Sequence, residues 1–172
     1  MNKREFTRVV AAARYRGLMR SAIHSFKYRN RRELAVPLAS LLCEAVTGKL
    51  GRASWEVLLP VPTTRLRHRE RGYNQALLLA RAAASELPGR LRERAVRRIR
   101  PSPFSQSKLS RRERRENVRD AFAVASPPDI AGCQVLVIDD IMTTGATMDQ
   151  MAMALRRAGA LRVYGAVLAR GD

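Results

Sequence analysis

Two adjacent carboxylates, Asp139 and Asp140, are followed by Thr143, Thr144, Gly145, Ala146 and Thr147. These residue types divide one task between them. Carboxylates accept hydrogen bonds from sugar hydroxyls and help to place Mg2+. Small residues at a helix start leave backbone N–H groups unpaired, where the helix dipole favours an anion. Gly145 lets the backbone approach a ligand closely, and the three threonines add hydroxyl donors. A phosphorylated sugar satisfies both halves at once. A buried strand followed by an ordinary capped helix would require neither the second acid nor so many hydroxyls.

The elements that must hold these groups are written on either side. Val135, Leu136, Val137 and Ile138 form an apolar run without polar alternation, the pattern of a strand buried on both faces near the centre of a parallel sheet. The acids are expected where that strand runs out. Met148, Met151, Ala152 and Leu155 then fall at helical spacing. A second strand–loop–helix unit lies upstream. E-V-L-L-P-V at 56–61 reads as a short buried strand, and Tyr73, Ala76, Leu77, Ala80 and Ala84 return to helical spacing. Between them Arg65, Arg67, Arg69 and Arg71 alternate, which predicts a charge-gathering loop rather than a helix face. In a parallel α/β sheet both loops lie at the carboxyl edge, where ligands bind. A pyrophosphate beside a ribose 5-phosphate would use the acidic loop and the cationic one together.

The flanking regions are basic. Residues 1–48 are predicted to be two helices, one with Met19, Ala22, Ile23 and Phe26 on its buried face. The other carries Leu34, Leu38, Leu41, Leu42 and Ala45, with Pro37 tolerable only in its first turn. Between them Lys27, Arg29, Arg31 and Arg32 crowd around Tyr28, either as a solvated loop or as a nucleic-acid contact with a stacking face. Ala95–Arg100 and Ala121–Val124 read as a strand and its returning partner. The excursion they enclose is rich in Pro and Ser, then highly charged from Arg111 to Arg119. Residues 90–119 hold twelve basic and three acidic side chains, half of the net charge, so the excursion is expected to be a lid or a binding arm. Arg162–Leu168 supplies a last apolar strand.

At 172 residues the chain is expected to be one domain with a real core. Thirty-three Lys and Arg against fifteen Asp and Glu leave +18, a surplus that points to polyanionic partners such as nucleic acid, acidic lipid or phosphorylated ligands. No apolar run approaches the roughly 20 residues of a membrane span, and the start M-N-K-R-E-F lacks a signal-peptide core, so a cytoplasmic location is expected. Cys43 and Cys133 stand far apart without a C-x-x-C, and His24 and His68 have no partner at ligand spacing; no metal is expected on Cys or His, and no zinc. No P-loop sequence occurs.

V-L-V-I-D-D-I-M-T-T-G-A-T at 135–147 resembles the phosphoribosyl-pyrophosphate (PRPP) motif of type I phosphoribosyltransferases. The resemblance implies an α/β parallel-sheet type I phosphoribosyltransferase-like fold, here with N-terminal helices and a basic hairpin or lid excursion. It places the catalytic acids Asp139 and Asp140 on the ribose hydroxyls and Thr143, Thr144, Gly145, Ala146 and Thr147 on the 5′-phosphate. H-S-F-K-Y-R-N-R-R-E-L-A, L-P-V-P-T-T-R-L-R-H-R-E-R-G-Y-N-Q-A and Q-S-K-L-S-R-R-E-R-R-E-N-V-R-D-A-F precede it in an order that resembles the ComF/GntX family. That family commonly carries an upstream zinc ribbon, which is absent here, so residues 1–172 are read as a single phosphoribosyltransferase-like domain. The resemblance implies a pyrophosphate loop with Arg65, Arg67 and Arg71, and a flexible lid with Gln106, Arg114 and Asn117. Nucleic-acid contacts are expected from Lys27, Tyr28, Arg29, Arg111, Arg112 and Arg115. It further implies a competence protein that handles incoming single-stranded DNA during natural transformation, alongside a ComF-type helicase and a recombination mediator, and that binds PRPP or a related phosphate with Mg2+. The alternatives are an active PRPP-dependent transferase with an unidentified acceptor and a PRPP sensor without turnover.

Overall fold

The computed structural model describes residues 4–51, 53–99 and 121–171. In chain order the elements are β1 (Arg8–Arg14), α1 (Gly17–Tyr28), α2 (Ala35–Leu50), β2 (Val57–Pro60), α3 (Arg65–Arg71), α4 (Gln75–Ala83), β3 (Arg90–Leu91), β4 (Val96–Arg98), β5 (Phe122–Val124), β6 (Gln134–Met142), α5 (Ala146–Arg157) and β7 (Arg162–Arg170). Five strands form a parallel sheet in the order β1-β7-β6-β2-β3, and β4 pairs antiparallel with β5 as a separate hairpin. This is the α/β parallel-sheet architecture of phosphoribosyltransferase folds.

The apolar runs are continuous because both faces of the sheet are covered. Successive side chains of a strand point to opposite faces. Leu136 and Ile138 therefore join one core with Ile23 and Phe26 of α1, Leu42 of α2 and Leu79 of α4. Val135 and Val137 join the other core with Met148, Met151 and Leu155 of α5 and with Val96 and Phe122 of the hairpin. Gly165 in β7 makes room on that second face. A Cβ there would stand 2.8 Å from Met148 Cε and 2.9 Å from Val9 Cγ2. Cys43 belongs to the first core and Cys133 packs against the second.

Three sequence expectations are corrected. Residues 1–48 are not two helices alone, because Arg8–Arg14 is an edge strand pairing with β7 from Arg8↔Tyr164 to Arg14↔Arg170. Its run V-V-A-A-A carries little alternation, and its partner is remote in sequence. The arginine-rich stretch 65–71 is a short helix, not a loop. Thr64 caps its start by accepting from the Arg67 N–H at 3.1 Å, and Gly72 ends it in a left-handed conformation with φ 74°. Finally, β6 does not end at the acids. It continues to Met142 because β7 continues beside it, with Asp139↔Val167 and Ile141↔Ala169 in register. On its other side β2 stops at Pro60, opposite Ile138.

Candidate functional site

That uneven ending opens a cleft. The connection after β2 runs through α4 on one face to β3, and the connection after β6 runs through α5 on the other face to β7. Neighbouring parallel strands whose crossovers diverge leave a crevice at their carboxyl ends, the usual ligand position in such sheets. Here it encloses about 220 Å3 and is lined by Lys27, Thr63, Thr64, Arg67, Arg71, Asn74, Gln75, Arg98, Asp139, Asp140, Thr143 and Thr147, among others.

The pleat assigns each acid its own surroundings. Asp140 lies on the face of Leu136 and Ile138 and meets α1, where its Oδ2 pairs with Lys27 Nζ at 2.9 Å. Asp139 lies on the face of the hairpin and feels the charge of Arg98 from β4. Its Oδ1 accepts the Asp140 backbone N–H at 2.9 Å. Asp139 still touches solvent at the cleft floor, but protein packs closely around it. That burial, and then the charge of Asp140, push its pKa up to about 7, against the backbone hydrogen bond and the charges of Lys27 and Arg98. Burial acts on Arg98 in the opposite sense and lowers its pKa, partly offset by Asp139; its guanidinium lies 4.7 Å from the Phe122 ring centre.

The cationic wall is sorted by α3. Residues four apart on a helix share a side, and residues two apart do not. Arg67 and Arg71 consequently face the cleft, while Arg65 and Arg69 border a separate depression with His68 and Leu77. Arg71 donates to Gln75 Oε1 at 3.1 Å and to Tyr28 Oη at 3.2 Å, with its guanidinium 5.0 Å from the Tyr28 ring centre. Asn74 caps α4 by accepting from the Ala76 N–H and donates to the Val61 carbonyl, each at 3.1 Å. Three buried side-chain nitrogens of cleft residues have no hydrogen-bond partner among the described residues: Arg71 Nε, Gln75 Nε2 and Arg98 Nε. Each belongs to a residue that lines the cleft, so its wall is rich in donors.

Next to the cleft is a smaller pocket of about 40 Å3, lined by Asp139 and by Thr143, Thr144, Gly145, Ala146 and Thr147. Gly145 stands before α5 with φ 79°. The N-terminal segment braces this loop from outside: Arg4 donates to the Thr144 carbonyl at 3.0 Å, and the Glu5 N–H donates to Asp149 Oδ1 at 2.8 Å.

Of the residues singled out from the sequence, Asp139, Asp140, Thr143, Thr147, Arg67, Arg71 and Lys27 come together in the cleft. Arg65 does not. Lys27 points into the cleft with a side chain only 13% exposed, whereas Tyr28 and Arg29 lie at the surface. Gln106, Arg111, Arg112, Arg114, Arg115 and Asn117 lie outside the described residues. Gln75 and Arg98 were not anticipated as site residues. The family pattern runs through Gln75, but the sequence around Arg98 is so rich in arginine that nothing marks that one.

The donor set does not form a resident Mg2+ site. Mg2+ requires several well-placed oxygen ligands. The cleft has two carboxylates, one already ion-paired, among four cationic side chains. Among the described residues no group of three His, Cys, Asp or Glu side chains could hold a metal, and no helix is long and apolar enough to cross a membrane.

Residues 74–172 match the phosphoribosyl transferase domain, and this fold with its acid pair and helix-start loop defines that class of protein. DNA utilization protein YhgH of Salmonella typhimurium is 33% identical over 161 residues, covering 91% of this chain and 69% of its own length. Competence protein F of Haemophilus influenzae is 33% identical over 151 residues, 83% of this chain and 65% of its own. Competence protein ComFC of Bacillus subtilis is 29% identical over 145 residues, 84% of this chain and 56% of its own. The chain belongs to the ComF/GntX family of phosphoribosyltransferase-like proteins.

Proposed function

We propose that this protein is a ComF-type competence protein that handles single-stranded DNA during natural transformation and binds PRPP, or a related phosphorylated ribose, in the cleft. The observation that carries the ligand reading is a cleft whose floor holds two carboxylates and whose wall carries Arg67, Arg71 and Arg98, beside the small pocket of the loop 143–147. Ribose hydroxyls donate to Asp139 and Asp140, the loop 143–147 receives the 5′-phosphate, and Arg67, Arg71, Gln75 and Arg98 face the pyrophosphate. Any Mg2+ arrives with the ligand's own phosphates.

The DNA reading is supported by the net charge of +18 and by the names of the relatives. A helicase and a recombination mediator are the protein partners expected in that role, and the cytoplasm is the compartment. Two titrations test it. PRPP or ribose 5-phosphate should give saturable heat with the parent and little with Asp139→Asn. A fluorescent single-stranded oligonucleotide should bind with a log affinity that falls with log salt at about −0.7 per phosphate contact. Replacing Arg111, Arg112, Arg114 and Arg115 with alanine should reduce both affinity and slope and spare the phosphate ligand. Unchanged DNA binding in that variant would favour the transferase, with the arm as its lid. PRPP consumption with pyrophosphate release would distinguish that enzyme from a sensor.

A further inference from the structure

Beyond the reading of the cleft as a phosphorylated-ribose site, on which this inference rests, lies the question of what balances the ligand's charge. A polyphosphate beside carboxylates is ordinarily balanced by a divalent cation held by oxygens. In this cleft one acid already has a protein cation, Lys27 on Asp140 at 2.9 Å, and Arg98 lines the same space beside Asp139. With Arg67 and Arg71, four cationic side chains line the space against two carboxylates, so a free Mg2+ meets more repulsion than attraction.

We propose that Lys27 supplies the counter-charge a divalent cation would otherwise bring, holding Asp140 in the free protein and turning to the ligand's phosphate when ribose hydroxyls take over the carboxylate. Phosphorylated ribose then binds this protein without a metal. Lys27 is built for that exchange. Ile23 and Phe26, both fully buried, fix the helix beneath it, and the neighbouring Tyr28 is held by Arg71. Only the flexible stem and the ammonium need to move, and the ammonium carries three donors. Arg71 and Gln75 line the same cleft and offer further donors to the same anion.

The test is calorimetric titration of the full chain with ribose 5-phosphate and with PRPP, each in EDTA and in excess Mg2+. The expected Kd values agree within about threefold between the two conditions. Lys27→Gln should weaken binding at least roughly tenfold in EDTA, the loss of one charge-assisted contact, and Mg2+ should recover most of it. Lys27→Arg should remain metal-independent, and thermal unfolding of each variant checks that it folds. Should Lys27→Gln not fold, the parent and Lys27→Arg in EDTA still decide. Binding by the parent only in Mg2+ would overturn this inference and leave the ribose-phosphate site standing. Absence of binding in both conditions would overturn the two together. Undiminished binding by folded Lys27→Gln in EDTA would remove Lys27 from the role.

Discussion

The two strand–loop–helix units that meet at the cleft solve opposite problems by opposite means. The cationic unit holds itself. Thr64 and Gly72 cap α3, Asn74 caps α4, and all of these lie within a dozen residues of one another. The acidic unit is held from elsewhere. Gly145 offers α5 no side-chain cap, and its loop is steadied by Arg4 and Glu5 from the far end of the chain. The exposed Arg65, Arg67 and Arg69 require only local geometry, and Arg71 reaches out of the unit, to Tyr28. Two adjacent carboxylates at a packed floor require neighbours of opposite charge, and those must be delivered by other elements. The contrast teaches that charge sign decides less than burial does: the buried unit draws on the whole fold.

The sharpest way to break the contrast is to remove the buried charge. The raised pKa of Asp139 means that the folded protein holds its proton more tightly than the unfolded chain does. This group's contribution to stability is therefore greatest below about pH 4 and is lost as pH rises towards about 7, leaving a standing penalty above that. Asp139→Asn keeps the acceptor for the Asp140 N–H and removes the penalty. Its unfolding free energy at pH 8 should exceed the parent's by about 1–3 kcal/mol, with a flatter pH dependence between about 4 and 7. Denaturant melts of both proteins at pH 5 and pH 8 check this, and an equal slope would refute the buried-charge account.

An effect no larger than that separates the two helices' seats. Gly165→Ala would press a methyl against Met148 and Val9 and should cost about 1–3 kcal/mol by overpacking beneath α5. Gly72→Ala would meet only an Arg32 nitrogen at 3.3 Å and pays for its left-handed backbone, about 1–2 kcal/mol, with the loss confined to α3 and its surroundings. Native-state hydrogen exchange distinguishes a global loss in the first from a local one in the second. The smallest effect belongs to Arg4→Ala. An exposed hydrogen bond is worth at most about 1 kcal/mol, so global stability should barely change while amide exchange at residues 144–147 accelerates.

Local signals were legible in the sequence and remote ones were not. The run at 135–138, the acid pair and the small-residue loop follow one another along the chain, so their order alone places them at a strand end and a helix start. The helices α1, α2 and α4 are likewise read from their own spacing. Strand β1 is a strand because β7 lies beside it, and nothing in V-V-A-A-A says so. Alternating arginines masked α3, since its two turns bury no side chain and leave no apolar stripe. Lys27 looked like one of a group of surface cations. Its role at Asp140 depends on which face of β6 turns towards α1, and that becomes decidable only with the sheet register.

The strand order also bears on how the chain reaches this shape. Residues 8–14 have their only sheet partner among the described strands at 162–170, so β1 must wait until β7 is made before it can pair. Pairing between such distant segments is slow, because a long loop must close before any contact rewards it. During translation β1 therefore stays unpaired until β7 emerges, and the brace that Arg4 and Glu5 place on Thr144 and Asp149 spans a similar separation of 140 and 144 residues. The pocket beside Asp139 is thus completed by residues made long before the loop they brace.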